Sequence, residues 1–525
     1  MQTFISNDLI NTADGQEANR ILRSCVHCGF CTAACPTYRL LGDELDGPRG
    51  RIYLIKGLLE GEVTTGKTRL HLDRCLTCRA CETYCPSGVE YGHLLAHKIH
   101  NLGDVVAPPF DVISKQEQIQ FHERHPQNII RLTLGNITEN DTPSDNRYTR
   151  SAECLNRWFS DGVIMLDEEP AFYLTSMEFL FEGNRVTRYG LIALIRLEPF
   201  EKGIIVPHEK TFSRVKSERL ELMKACHANF SPIFSLFSDE ENRIYNKLKH
   251  AVCDKSEDTV FTDKSGQKHR LWRITDNSVH RYISDALKDK KIFIADGHHR
   301  YETALNYKNW LSARTSDFRD NHPANYVMMY LCSMEDPGLI ILPAHRLLNE
   351  VPVEKRESLI HKTKNYFDII TLPYNGDQHK ENLSQFISIL KSNTSKHCIG
   401  VCMKDRLELH LLMLKPDVME NMFGNELPEV IRNIDVTVLT RLIFMEVLGF
   451  DQARLDNEQL IAYSSIAEEA IDAVFAGKHD IAFILNPTRI QQVRDIADAG
   501  LIMPRKATYF FPKVITGQVM NSLRP

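Results

Sequence analysis

Apolar positions along the chain fall into two rhythms. In FYLTSMEFLFEGNRVTRYGLIALIRLEP, residues 172–199, two apolar runs rich in aromatic and branched residues flank the polar break Glu182–Asn184, which predicts an antiparallel hairpin. The same reading applies to YVMMYLCSMEDPGLIILPAHRLL around Asp336–Gly338 and to HCIGVCMKDRLELHLLMLK around Lys404–Arg406. Between these runs, SERLELMKACHAN, EKRESLIHKTKNYF and TRIQQVRDIADAG space their apolar residues by three and four, as helices do. Near the amino terminus, Ala18, Ile21 and Leu22 form the apolar side of an amphipathic helix across residues 1–24, and RIYLIKGLLEGE predicts a second helix that ends at glycine. The expected class is α+β: a helical amino-terminal module joined to a larger mixed α+β domain.

With 525 residues the chain has room for two to four domains. A net charge of −6 supplies no basic face for phosphate backbones, so nucleic-acid binding is not expected. No apolar stretch approaches the roughly eighteen residues that span a bilayer. The start, MQTFISNDLINTADGQEANRILRS, lacks a basic region followed by an apolar core and so does not read as a signal peptide. Six of the 14 cysteines are scattered singly after residue 150, as buried free thiols of a reducing compartment are. The expected location is cytoplasmic, with any membrane association peripheral at the inner face and through a partner.

The other eight cysteines carry the strongest chemical signal. CVHCGFCTAACP at Cys25–Pro36 is answered by CLTCRACETYCP at Cys75–Pro86, each with cysteines at i, i+3, i+6 and i+10 followed by proline. In this ligand pattern three thiolates hold one [4Fe–4S] cluster and the fourth reaches the other. Cys25, Cys28, Cys31 and Cys85 are then the ligands of one cluster, and Cys75, Cys78, Cys81 and Cys35 those of the second. Structural zinc would leave the third cysteine of each triplet without a role. Disulfides suit a small secreted domain better than this chain.

The segment between the two runs holds LLGDELDGPRGRIYLIK, which cluster binding does not require; its Arg49, Arg51 and Lys56 either bring positive charge to the clusters or form a solvated helix face. The whole amino-terminal stretch resembles the iron–sulfur subunit of glycolate oxidase (glycolate dehydrogenase). That resemblance implies an oxidoreductase subunit, not catalytic alone, which takes electrons from FAD-bearing partner subunits oxidising glycolate to glyoxylate and relays them toward quinone. It ends near residue 100, and the Cys-Cys-Gly repeats with which that family continues have no counterpart, since the sequence contains no Cys-Cys dipeptide.

Beyond the cysteine runs, PPFDVIS, HPQNIIRL, VPHEKT, SERLELM, IADGHHRYETA, LPAHRLL and PRKATYFFPK resemble the bacterial family filed as domain of unknown function 1015. The expected division is 1–103 for the double-cluster module and 104–525 for the α+β domain, which has room for two subdomains. Three apolar runs there deliver polar groups at their ends: His208 and Glu209 after IIV; Asp296, His298, His299 and Arg300 after IFIA; His345 and Arg346 after LIILPA. Two chemistries compete for these residues. The histidines and acids suit a divalent metal, whereas Arg300, Arg346, His298, Arg505, Lys506 and Lys513 suit a phosphate or carboxylate. The plain alternative is that His298 and His299 satisfy buried carbonyls. No G-x-G-x-x-G, P-loop or G-x-S-x-G signature occurs. Beside the electron-transfer reading stand two others. The carboxy-terminal domain is an enzyme on a phosphorylated or anionic metabolite with the clusters as a structural or redox-sensing attachment, or the chain is a fusion without joint function.

Overall fold

The structure, a computed structural model, describes all residues except 12, 63–64, 77, 92–93, 95–100, 209–212, 456, 458 and 525. It divides into two compact units, one of residues 1–106, 116–168 and 262–264, the other of residues 107–115, 169–261 and 265–525. Helices and mixed sheets make it an α+β chain.

The first unit is helical. Residues expected to form one helix over 1–24 form two, Asn7–Ile10 and Ala13–Ser24, and the second buries Ala18, Ile21 and Leu22. The helix Pro48–Leu59 opens on proline, whose fixed φ suits a first turn, and buries Ile52 and Ile55. Gly50 lets this helix seat against the turn Glu44–Asp46, since a Cβ there would lie 2.1 Å from the Glu44 carbonyl oxygen. These groups share one core with Leu72, Val89, Tyr91, Cys25 and Cys81. Further along, Asn146 caps the helix Arg147–Ser160, accepting from the Tyr148 and Thr149 amides.

The second unit contains two large sheets. The eight-stranded sheet runs in the order Ile205–Val206, Ile292–Asp296, Ile233–Phe237, Tyr326–Ser333, Asn184–Arg196, Phe172–Phe181, Lys268–Ile274, Thr259–Thr262. The six-stranded sheet runs Phe367–Pro373, Glu408–Leu414, Cys398–Met403, Ile481–Ile484, His345–Leu348, Ile461–Ser464. Two of the three expected hairpins are present. Phe181 pairs with Asn184 around Glu182 and Gly183, both at positive φ (48° and 79°), the backbone a two-residue hairpin turn requires. Cys402 pairs with Leu409 around the turn that contains Asp405.

The third hairpin does not form. Tyr326–Ser333 stays in the eight-stranded sheet, Ile340–Leu342 pairs instead with Tyr509–Phe511, and His345–Leu348 belongs to the other sheet. The cause is Asp336, whose carboxylate accepts from the Gly338 amide at 2.7 Å and the Tyr189 amide at 3.3 Å. These bonds hold Gly338 flat on the neighbouring strand, where a Cβ would stand 2.4 Å from the Thr187 carbonyl oxygen. The chain therefore crosses over this strand and never folds back on its own. No helix among the described residues is long and apolar enough to cross a membrane.

Candidate functional site

Each cysteine run contains a short helix that carries its third cysteine, Phe30–Ala34 in the first and Ala80–Thr83 in the second. The residue after the second cysteine of each run takes a left-handed backbone, Gly29 at φ 84° and Arg79 at φ 53°. Glycine adopts this turn freely, whereas an arginine there costs about 1 kcal/mol. The two runs meet in a small pocket, partly open to solvent, whose sulfur lining comprises Cys25, Cys28 and Cys31 of the first run with Cys81 and Cys85 of the second. Cys28 and Cys78 are exposed, Cys25, Cys35 and Cys81 buried.

Burial pushes the Cys31 thiol up to about 11 and the Cys81 thiol to about 12, with the Cys25 and Cys75 sulfurs respectively adding to the effect. Thiols held this far from ionisation become thiolates where a metal centre supplies the compensating charge. Tyr91, buried at the pocket wall, turns its hydroxyl toward the Cys75 sulfur, and the Val89 amide donates to the Cys85 sulfur at 3.4 Å. The donor set, eight sulfurs in two related loops, fits iron–sulfur clusters. Of the three cations named from sequence, Arg49 lines the pocket, Arg51 reaches the Cys35 sulfur, and Lys56 is spent on Glu60 at 2.5 Å.

In the second unit the strand Ile292–Asp296 ends at Gly297, which takes φ 102° and opens the helix His298–Ser312. Asp296 accepts from Arg300 Nη2 at 2.8 Å, one helical turn on, and from Lys513 Nζ at 3.3 Å. Burial opposes ionisation of Asp296, but Lys513 and Arg300 outweigh it and hold the carboxyl below the usual range. Asp111 faces the same group with the opposite shift. Crowding by surrounding protein and the Asp296 carboxylate raise its pKa, against the pull of Arg300 and Lys513, although the side chain reaches solvent from this recess. Two carboxylates whose environments push them apart beside two cations form a constellation with the parts of an acid–base or anion-holding site.

His208 and His298 are buried beside it with their rings 4.7 Å apart. His208 Nδ1 donates to the Ile294 carbonyl at 2.6 Å and its Nε2 meets Thr508 Oγ1 at 3.1 Å, so both ring nitrogens are occupied. His298 Nε2 accepts from the His208 amide at 3.2 Å, and burial holds this ring neutral. In this arrangement both rings position backbone. His299 stands half-buried on the first turn of the helix, and Glu209 lies outside the described residues.

His345 and Arg346 are placed elsewhere. They follow the strand Ile340–Leu342, as expected, but themselves open the next strand, which belongs to the six-stranded sheet, and both are buried. His345 Nδ1 accepts from the Leu485 amide at 3.1 Å, and burial carries its pKa down to about 4. Arg346 Nη2 donates to the carbonyls of Arg505 at 3.2 Å and Lys506 at 2.9 Å, with its guanidinium over the Tyr463 ring. Arg346 thus braces the segment that carries Thr508 to His208 and Lys513 to Asp296. Asp111 was not singled out from sequence; the one available signal was its place in the Pro-Pro-Phe-Asp string.

The 4Fe-4S dicluster domain family matches residues 21–89. The family described as Protein of unknown function (DUF1015) matches residues 93–437. The glycolate oxidase iron–sulfur subunit of Escherichia coli (strain K12) is 68% identical over 95 residues, which are 18% of this chain and 23% of that protein. The probable glycolate oxidase iron–sulfur subunit of Bacillus subtilis (strain 168) is 40% identical over 127 residues, 22% of this chain and 27% of that one. The chain therefore spans about a quarter of the length of these curated relatives. Among solved structures, a conserved hypothetical protein from Pyrococcus furiosus is similar at 12% identity and a TM-score of 0.31, covering 63% of this chain and 95% of that one.

Proposed function

This chain belongs to the DUF1015 family of proteins of unknown function, and we propose that its amino-terminal module makes it an electron-transfer protein with two [4Fe–4S] clusters. Its amino-terminal region resembles the iron–sulfur subunit of glycolate oxidase, which indicates an iron–sulfur electron-transfer role. The ligands are Cys25, Cys28, Cys31 and Cys85 for one cluster and Cys75, Cys78, Cys81 and Cys35 for the other. The observation that carries this reading is the pocket in which three thiols of the first run meet Cys85 of the second. When bound, such clusters accept and release single electrons. The chain's own residues hold the sulfurs, exclude water with Tyr91 and Val89, and leave Cys28 and Cys78 at the surface.

Its electrons would come from a flavoprotein partner that carries FAD and oxidises glycolate to glyoxylate, and would pass toward quinone, with the chain cytoplasmic or peripheral at the inner face of the membrane. The division falls at residues 103 and 104. Iron and acid-labile sulfide analysis with low-temperature electron paramagnetic resonance of the anaerobically purified full chain tests the reading. About eight irons per chain and two magnetically interacting centres are expected. Soluble protein without iron would sink it.

A second reading concerns the DUF1015 domain itself, as an enzyme on a phosphorylated or anionic metabolite. It is favoured by Asp111, Asp296, Arg300 and Lys513 gathered at the start of a 15-residue helix, whose free amides add positive potential. Inorganic phosphate is expected to raise the thermal midpoint of the full chain and to leave that of Lys513→Met unmoved. An equal response of both proteins rules out this site.

A further inference from the structure

Cysteines Cys35 and Cys85 occupy equivalent places at the ends of the two runs, yet their sulfurs meet different surroundings. The Cys85 sulfur accepts from a neutral backbone amide, that of Val89 at 3.4 Å. The Cys35 sulfur lies 3.1 Å from the Thr37 hydroxyl, whose proton also reaches the Asp46 carbonyl at 2.9 Å, and 3.9 Å from Arg51 Nη1. Arg51 is fully buried, at 0% exposure, on the helix Pro48–Leu59. Its Nη1 donates to Thr37 Oγ1 at 3.0 Å and its Nε to the His71 carbonyl at 2.6 Å.

The charge of Arg51 is answered by Asp46, equally buried, whose Oδ1 lies 3.6 Å from Arg51 Nη2 and 3.2 Å from His71 Nδ1. Arg74 approaches the other carboxylate oxygen at 3.0 Å. Asp46 is shared between the buried Arg51 and the partly exposed Arg74, so the group keeps net positive charge beside the Cys35 sulfur. A buried guanidinium is expensive to keep unless it is held by such bonds. The seat that Gly50 makes against Glu44–Asp46 brings Asp46 and Arg51 to this depth. It also accounts for a segment, LLGDELDGPRGR, that ligand spacing alone does not require.

We propose that Arg51, acting through Thr37, is a positioning residue that raises the reduction potential of the cluster bound by Cys35 above that of its neighbour. The inference rests on the ligand assignment proposed above. The physical reason is that reduction adds a negative charge to a cluster and its thiolates. Hydrogen bonds and positive charge at a ligand sulfur favour the reduced state, and cluster potentials are set by such contacts. At the other cluster the cations are Arg49 beside Cys31, about a third exposed and paired with Glu44 at 2.6 Å, and the Met1 ammonium, bound to the Cys25 carbonyl at 2.8 Å. Neither is a fully buried guanidinium against a ligand sulfur, so the two centres are unequal, and the Cys35 centre is the one reduced first.

Redox titration of the full-length, anaerobically purified protein, followed by electron paramagnetic resonance, tests this on the parent chain, Thr37→Val, Thr37→Ser and Arg51→Lys, with iron and sulfide measured on each. All four are expected to hold the same iron. In Thr37→Val and Arg51→Lys the higher of the two midpoints falls toward the lower, which stays in place, while Thr37→Ser, which keeps the hydroxyl, matches the parent. Arg51→Lys keeps a cation opposite Asp46, so it remains informative where Thr37→Val fails to fold. Midpoints that stay put, or that move together, with iron retained overturn the inference and leave the cluster reading standing. Loss of one cluster in both variants overturns it as well, since the group is then a structural support. A parent chain without iron removes the cluster reading and this inference with it.

Discussion

A Cys28→Ser chain is expected to hold less iron than the parent and to lose the [4Fe–4S] signal of one of its two centres, because the serine hydroxyl is a harder and weaker ligand for cluster iron than the thiolate it replaces. Cys28 is the informative position because it is exposed. The same change at Cys25 would remove a group packed with Ile21, Leu22 and Ile52, confusing lost ligation with a disturbed core. At Cys28 the serine replaces a sulfur whose only demand is chemical, while Gly29 next to it keeps the loop's left-handed turn. The far-ultraviolet spectrum and thermal midpoint of the second unit are therefore expected to stay as they were. Dye reduction driven by glycolate in the presence of a flavoprotein partner should disappear, since a relay with one centre missing has a gap. Unchanged iron content, measured per chain, would refute the ligand assignment.

Replacing Asp296 with alanine is expected to lower stability by about 3 kcal/mol at neutral pH, the low end of what removing one partner of a buried ion pair costs. Arg300 and Lys513 would be left with 12% and 16% of their side chains exposed and their shared carboxylate gone. Arg300 keeps the Pro232 carbonyl and Lys513 keeps the Tyr509 ring, which is why the loss stays at the lower end. The pH dependence has a definite sign. The folded carboxyl of Asp296 lies below its unfolded value of about 3.9. Its contribution is thus fully present above pH ~4 and fades as the solution is acidified through the folded pKa. Urea denaturation of parent and variant should show a constant gap from pH 6 to pH 8 that closes toward pH 2–3. A gap under about 1 kcal/mol at pH 7 would mean the cluster is solvated more than its burial indicates.

The cysteine pattern, the α+β class and both family resemblances were legible in the chain because each is written in local spacing. Ligand intervals of three and ten residues, apolar periods of two against three to four, and short strings such as GDELDGPRGR need no partner elsewhere to be read. Two hairpins were legible for the same reason, their turns being short and their strands adjacent. The third string, around Asp336–Gly338, looked alike but folds differently. Its outcome is decided by the Tyr189 amide, which lies on a strand more than a hundred residues earlier.

The candidate residues of the second unit divide along the same line. Asp296, His298 and Arg300 are close in sequence, and their nearness follows from a strand that ends in glycine and a helix that begins at once. Whether His208 presents a ring nitrogen to a ligand could not be read from VPHEK, because both nitrogens are taken by Ile294 and Thr508, groups far along the chain. Likewise Arg346 had the character of an anion ligand by composition, and only the close approach of the 505–506 backbone makes it a brace. Asp111 joins Asp296 and Lys513 from opposite ends of the domain. The opposed shifts of the two carboxylates are a property of that meeting, which no one segment contains.

The sequence by itself determined which sulfurs this protein carries, at what intervals, and the class of its fold, since covalent spacing and hydrophobic period act over a few residues. Tertiary structure alone decided that Arg51 lies buried against Thr37 and Cys35, and that Asp111, Asp296, Arg300 and Lys513 share one recess. Burial and electrostatic coupling depend on distances between segments, and those exist only once the chain has packed.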